Sequence, residues 1–242
     1  MSWKELIRII LLSLLLRETP SLMQQDEAIN ARSNRLTYNG STSQAVYSGT
    51  VTLWQEPDTT IRADTINVDD KSGDLTATGK AETTFIVEET DQKTGIRKRT
   101  PTHGTAETFR YIDAKRLAIY EGRAHLNGPQ GDVTGDRIEL FMKSGVNEIE
   151  RAEAFATTGT VEIKEGNRIA TGSRLTYTAA NQEYLIIGKP VVIVEEDNGT
   201  CKEVVGAKAT FNRAAGSTQI EGEKPFATKS RTLKACPAGL TR

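Results

Sequence analysis

The chain has 242 residues, and 31 lysines and arginines against 32 acids leave a formal net charge of −1. Both signs are interspersed along the sequence, which removes the electrostatic case for nucleic acid as a partner. An apolar fraction of 37% with only 6% aromatics suits a thin β structure better than a thick layered α/β core.

In chain order, the first residues differ from all that follow. Lys4 and Arg8 precede Ile9–Leu16, an apolar run broken only by Ser13. The run is short for a membrane span, which needs roughly 20 apolar residues. Its charged start fits a secretory signal peptide, although Thr19, Ser21 and Ala28 are poor cleavage-site residues. An uncleaved N-terminal anchor and an amphipathic helix are the alternatives. Signal peptide and anchor both imply export. The expected division is 1–28 as signal peptide or anchor, 29–229 as one repeat domain, and 230–242 as a C-terminal tail.

From residue 33 one short pattern is written six times: SNRLTY (33–38), ADTINV (63–68), AETFRY (106–111), GDRIEL (135–140), GSRLTY (172–177) and GAKATF (206–211). Counting from the first apolar residue of each pair, glycine follows 13 positions later as Gly49, Gly79, Gly122, Gly188 and Gly222. The fourth repeat delays its glycine to Gly159, eight positions late, and the added residues are expected around NEIERAEAFA (147–156). A fixed internal period means one supersecondary unit copied and stacked.

Each repeat carries a polar break after the apolar pair: NGSTSQ (39–44), DDKSGD (69–74), DAKR (113–116), KSGVN (143–147), TAANQ (178–182) and NRAAGS (212–217). Asn, Asp, Gly and Ser tolerate the backbone angles of turns. Strand, tight polar turn and strand make a hairpin, so neighbouring strands should be antiparallel. Thr, Val and Ile in the repeats favour strands. A glycine at one place in every second strand suggests a crease along which the strands fold over into two facing sheets. Ser33, Ala63, Ala106, Gly135, Gly172 and Gly206 would line a matching crease. The expected fold is therefore all-β, an open twisted antiparallel array of about six hairpin repeats around an apolar trough.

The period of two puts Leu36, Tyr38, Val51, Leu53, Ile66, Val68, Phe109, Tyr111, Leu126, Ile138, Leu140, Val161, Ile163, Leu175, Tyr177 and Val192 on the inward face. Lys224 falls at an inward position in the last repeat, which suggests a cap there. An inward apolar face is the ordinary content of a core, but an open-ended trough is also a place for acyl chains. A chain of about a dozen carbons gains on the order of 10 kcal/mol on leaving water.

Chemistry of other kinds is sparse. No phosphate-binding loop, nucleophile elbow, zinc-protease or dinucleotide pattern occurs, and the reading is not an enzyme, with no cofactor and no metal. His103 and His125 lie in unrelated contexts. Asp64, Glu107 and Asp136 recur at one slot of the repeat, but Asn34, Ser173 and Ala207 fill it elsewhere, so a turn or edge role is the better reading. Asn39-Gly40-Ser41 and Asn198-Gly199-Thr200 match a glycosylation sequon and coincide with turn signals. The loop 88–104 carries Arg97-Lys98-Arg99, readable as a phosphate contact or as a solvated hairpin loop. Cys201 and Cys236 are an even pair, either bridged or two separate thiols.

The phrases VTGDRIEL (133–140), NEIERAEAFATTGTVEI (147–163), RIATGSRLTY (168–177) and YLIIGKPVVI (184–193) resemble the organic-solvent-tolerance (OstA-like) family. That family includes the periplasmic lipopolysaccharide-transport protein LptA, the N-terminal domain of LptD, and LptC. The resemblance covers about residues 31–228 and is strongest over 105–222. It implies a twisted open β-jellyroll in the periplasm, with lipid A acyl chains of lipopolysaccharide held inside. It also implies partners: LptC-like and LptD-like jellyroll proteins joined by edge-strand addition, and further copies of the chain joined head to tail. A structural or protein-binding repeat module with a closed core, including an anchored LptC-like adaptor, is the alternative reading. A carbohydrate-active parallel β-helix is disfavoured by the mid-repeat turns.

Overall fold

The computed structural model describes residues 29–55, 58–90, 95–144, 147–222, 228–238 and 240. The leader 1–28 and Lys224 lie outside the described residues. Strands dominate, and every registered pair is antiparallel. The chain forms two compact units, divided within β7 (Leu117–Gly128) after Tyr120 and within β8 (Gly131–Met142) after Leu140.

The first unit holds β1 (Asn30–Arg32), β2 (Arg35–Asn39), β3 (Gln44–Gln55), β4 (Thr59–Asp69), β5 (Asp74–Thr90) and β6 (Arg97–Ile112). β3, β4, β5 and β6 pair in sequence order, and β1 and β2 both pair with β3. Asn39 and Asp69 build the turns: Asn39 Oδ1 accepts from the Ser41 N–H at 3.0 Å, and Asp69 Oδ1 from Lys71 and Ser72 at 2.9 and 3.0 Å. The sequon at Asn39 is thus a turn device.

The glycine column is a crease. Gly49, Gly79 and Gly122 have φ +82°, +80° and +81°, and each is followed by a second left-handed residue, Thr50, Lys80 and Arg123. The register shifts at the same level on successive ladders, between Ser48 and Val51, Arg62 and Thr65, and Thr78 and Ala81. On β4 the buried parity changes there, from Ile61 and Ala63 to Ile66 and Val68. Since alternate residues face opposite sides, that change marks where the strand passes from one layer to the other. The hydrogen-bonded ladder itself runs through the crease.

In the second unit the crease becomes a break. β9 (Ile149–Phe155) and β10 (Val161–Glu165) are two halves of one repeat strand, as are β11 (Arg168–Gly172) and β12 (Arg174–Thr178). They lie between β8 and the long strand β13 (Glu183–Asp197), which pairs with β12 along its first half and β11 along its second. The order β8-β10-β11-β13-β12-β9, with β9 returning to β8, closes a ring. β14 (Thr200–Asn212) continues from β13, and its outer edge carries β15 (Ser217–Glu221) and then β16 (Lys229–Thr232).

The added residues of the fourth repeat are strand as well as turn: residues 149–155 of NEIERAEAFA form β9, with Ile149, Ala152 and Ala154 buried. Part of the extra length follows at the break between β9 and β10, where Asp136 accepts from the N–H groups of Thr157 and Thr158. One expectation is corrected here. Val192 is not on the inner face. The register of β13 against β14 shifts between Ile187 and Val191, so Val191 and Ile193 are buried inward, at 0% and 2% exposure. A one-residue slip moves a side chain to the opposite face.

Candidate functional site

The apolar lining is assembled within each unit. In the first, Val51, Leu53, Ile66, Val68 and Phe109 are buried, and Tyr111 is half-buried. Phe109 packs tilted against Tyr120 with ring centroids 4.9 Å apart, and the Tyr120 hydroxyl meets Thr83 Oγ1 at 2.7 Å. Gly104 makes room for that ring, since a Cβ there would lie 2.3 Å from Tyr120 Cε1. Burial pushes the Tyr111 phenol up to about 12, with Asp113 adding in the same direction, and it raises Tyr120 further still. Leu36 and Tyr38 lie apart from this lining. They are 55% and 45% exposed on β2, which has β3 as its registered partner on one side.

In the second unit Leu126, Ile138, Leu140, Leu175 and Tyr177 converge on one cavity, joined by Val133, Ile149 and Tyr184. The cavity leaves a void of about 10 Å³, enough for roughly one water. Val161 and Ile163 are buried at 1% in the same unit. Tyr184 lies tilted against Tyr177 at 4.7 Å and stacks on Phe211 at 4.4 Å, and the Tyr184 hydroxyl donates to the Gln130 carbonyl. Glu153 borders the cavity and is buried, but its charge is matched by Arg151 and by Arg174 at 2.6 Å. Arg174 also lies 5.0 Å over the Phe155 ring.

Sequence reasoning missed Tyr120, Tyr184, Ile186 and Phe211, all buried to 2% or less. Tyr120, Tyr184 and Ile186 lie two or four residues before the repeat glycine, and Leu75 and Ala77 hold the same places in repeat two. Extending the even-numbered offsets backwards from each glycine would have found them.

The recurring polar slot is structural. A Cβ on Gly49 would sit 2.8 Å from Asn34 Nδ2, and one on Gly79 would sit 2.2 Å from Asp64 Oδ2. Ser173 Oγ donates to the Ile187 carbonyl at 3.0 Å, beside Gly188. Asp136 is held below the usual carboxylate range by the N–H groups of Thr158 and Thr157. Each of these side chains therefore packs against or hydrogen-bonds the crease of the following strand. The basic run is matched by acids: Arg99 pairs with Asp58 and with Glu88 at 3.6 Å, and Lys98 stands opposite Glu89. The expected loop 88–104 is corrected here: Glu88–Thr90 end β5 and Arg97–Gly104 begin β6, paired with each other and with Thr102 buried, so the basic run lies on a strand of a charged hairpin.

Cys201 and Cys236 are bridged, with their Cα atoms 5.2 Å apart. Around them Ile169, Val194 and Leu240 are buried, and Val192 and Leu233 pack against the same cluster. This patch is on the face of the sheet opposite Ile163, Ala170 and Ile193, by the alternation along β10, β11 and β13.

With this geometry in view, residues 29–146 match the family model of the LptA/(LptD N-terminal domain) LPS transport protein. Among solved structures, LptH, the LptA homologous periplasmic component of the lipopolysaccharide transport device of Pseudomonas aeruginosa, aligns at 17% identity. That alignment covers 55% of this chain and 86% of LptH, with a TM-score of 0.43. No curated protein matches the chain.

Proposed function

We propose that this chain, which carries the LptA/(LptD N-terminal domain) LPS transport domain over residues 29–146, is a periplasmic lipid carrier and bridge for lipopolysaccharide. The family match supports a part in lipopolysaccharide transport. The apolar lining supports the finer reading, in which lipid A acyl chains enter between the strands. The observation that carries it is the convergence of Leu126, Ile138, Leu140, Leu175 and Tyr177 on one cavity inside a ring of strands. Side chains fill that ring, so an acyl chain must displace them. Burial of about a dozen methylenes, on the order of 10 kcal/mol, is the driving force available for that displacement. No role in catalysis is assigned to any residue.

β2 is the surface for joining a neighbour. Among the described residues β3 is the one registered partner of β2, and a strand edge without a partner is a template for strand addition, to which Leu36 and Tyr38 add exposed apolar area. LptC-like and LptD-like jellyroll proteins, or another copy of this chain, are the partners this reading assigns.

The test is photo-crosslinking from Leu53, Tyr111 and Ile163 in cells that make lipopolysaccharide. Capture at these positions and not at exposed Arg62 or Glu82 is expected. Equal capture at both sets sinks the carrier reading. The small void favours one rival, a structural or protein-binding module with a closed core. That rival predicts no lipid on native mass spectrometry of protein extracted from membranes.

A further inference from the structure

The outer edge of β14 is covered in two pieces. β15 pairs with Lys208–Asn212, and β16 pairs with Lys202–Val205. β16 is four residues long and fully exposed, a length at which strand pairing alone is weak. Three contacts hold it. Arg231 forms a two-point ion pair with Glu203 at 2.7 and 3.1 Å, the Leu233 N–H donates to the Cys201 carbonyl at 2.8 Å, and the Cys201–Cys236 bridge follows directly. Beyond β16 the same segment lays Leu233 and Leu240 on Ile169 and Val194. One disulfide therefore fixes a cover over both a bare strand edge and the apolar face beside it.

We propose that the Cys201–Cys236 bridge is a lock. Oxidised, it keeps residues 229–238 over β14 and bars a second copy of this chain from adding its β2 strand there; reduced, it opens that edge. The inference rests on the strand-addition reading above. β2 has the length to replace β16, five residues against four, and brings Arg35 as a cation for Glu203 in place of Arg231.

Opening requires a dithiol reductant. Its thiolate attacks the Sγ of Cys236, the half-buried residue of the pair, because Cys201 is only 1% exposed. The S–S bond breaks, and Cys201 Sγ leaves as a thiolate and takes up a proton. The second thiol of the reductant then attacks the reductant's own sulfur in the mixed disulfide, and Cys236 Sγ leaves as a thiolate and takes up a proton. Two electrons have passed to the protein, and the reductant departs as a disulfide.

The test compares the full chain in its oxidised form with Cys236→Ser and with Cys201→Ser/Cys236→Ser. Analytical ultracentrifugation over a concentration series is combined with hydrogen exchange. Without the bridge, amides of 202–205 and 229–232 should exchange at least tenfold faster, and concentration-dependent dimers and longer head-to-tail oligomers should form where the oxidised chain is monomeric. Adding Thr37→Pro to the bridge-free chain should return it to monomer. Unchanged protection overturns the lock, and faster exchange without self-association overturns the edge it is said to guard. Cys236→Ser leaves the buried Cys201 side chain in place, so misfolding of the double variant does not stop the test. Lipopolysaccharide capture by the oxidised chain at Leu53 reports on the carrier reading independently.

Discussion

Gly79 shows how a single residue shapes the ladder. Its φ of +80° suits glycine, and a Cβ there would meet Asp64 Oδ2 at 2.2 Å. Gly159 has φ +88° with nothing within 4 Å of an added Cβ. Gly159→Ala should therefore suffer the left-handed backbone cost alone, about 1–2 kcal/mol, while Gly79→Ala should lose more. Urea denaturation checks the ranking, and adding Asp64→Ala should recover part of the Gly79→Ala loss but none of the Gly159→Ala loss. The tyrosines give a pH prediction. Tyr111 and Tyr120 titrate above their ordinary 10.0 in the folded chain because burial disfavours the phenolate. Their stabilising contribution is complete below pH 10 and is lost as pH rises through the raised values. Alkaline unfolding should thus coincide with their ionisation, and Tyr111→Phe should shift the transition to higher pH. The glycine column was legible because its spacing repeats in the chain. The partners of the glycines were not, since Asn34 and Gly49, or Asp64 and Gly79, come together only across a ladder.

Among the elements, alternation identified the strands and the polar breaks identified the turns, and both needed only local chemistry. Val192 was misplaced because the shift between Ile187 and Val191 reverses the alternation, and an apolar–apolar run such as Val191-Val192-Ile193-Val194 does not reveal which parity faces in. Leu36 and Tyr38 follow the inward pattern of the other repeats, yet are exposed because β2 begins the ladder. The C-terminal segment carries a stability prediction. The bridge spans 35 residues, and reducing it should lower stability by about 3–4 kcal/mol by loop entropy alone, read as a drop in urea midpoint without collapse of the strand signal in circular dichroism.

For the chain as a whole, the consequence of filled interiors is that lipid entry must be a rearrangement. If lipopolysaccharide occupies the ring of the second unit, hydrogen exchange in β9, β12 and β13 should change on binding, while the β5–β6 hairpin near Arg99 should not. Leu175→Ala, which removes a side chain that is 1% exposed, should cost about 2–5 kcal/mol of stability. A protein whose closed core is its whole purpose would show that loss with no lipid-dependent exchange. The family match over 29–146 and the resemblance strongest over 105–222 overlap in repeats three and four, so the repeat pattern extends beyond the matched segment.

By itself the sequence determined the all-β class, the antiparallel hairpin repeats, the crease and most of the buried apolar positions. These follow from period-two alternation, turn residues and glycine spacing, which act over a few residues. Only the tertiary structure decided which repeat is exposed, which face Val192 takes, how the polar slot braces the crease and that Cys201 meets Cys236. These depend on ladder register and on what lies across it, and register is set by the packing of strands far apart in the chain.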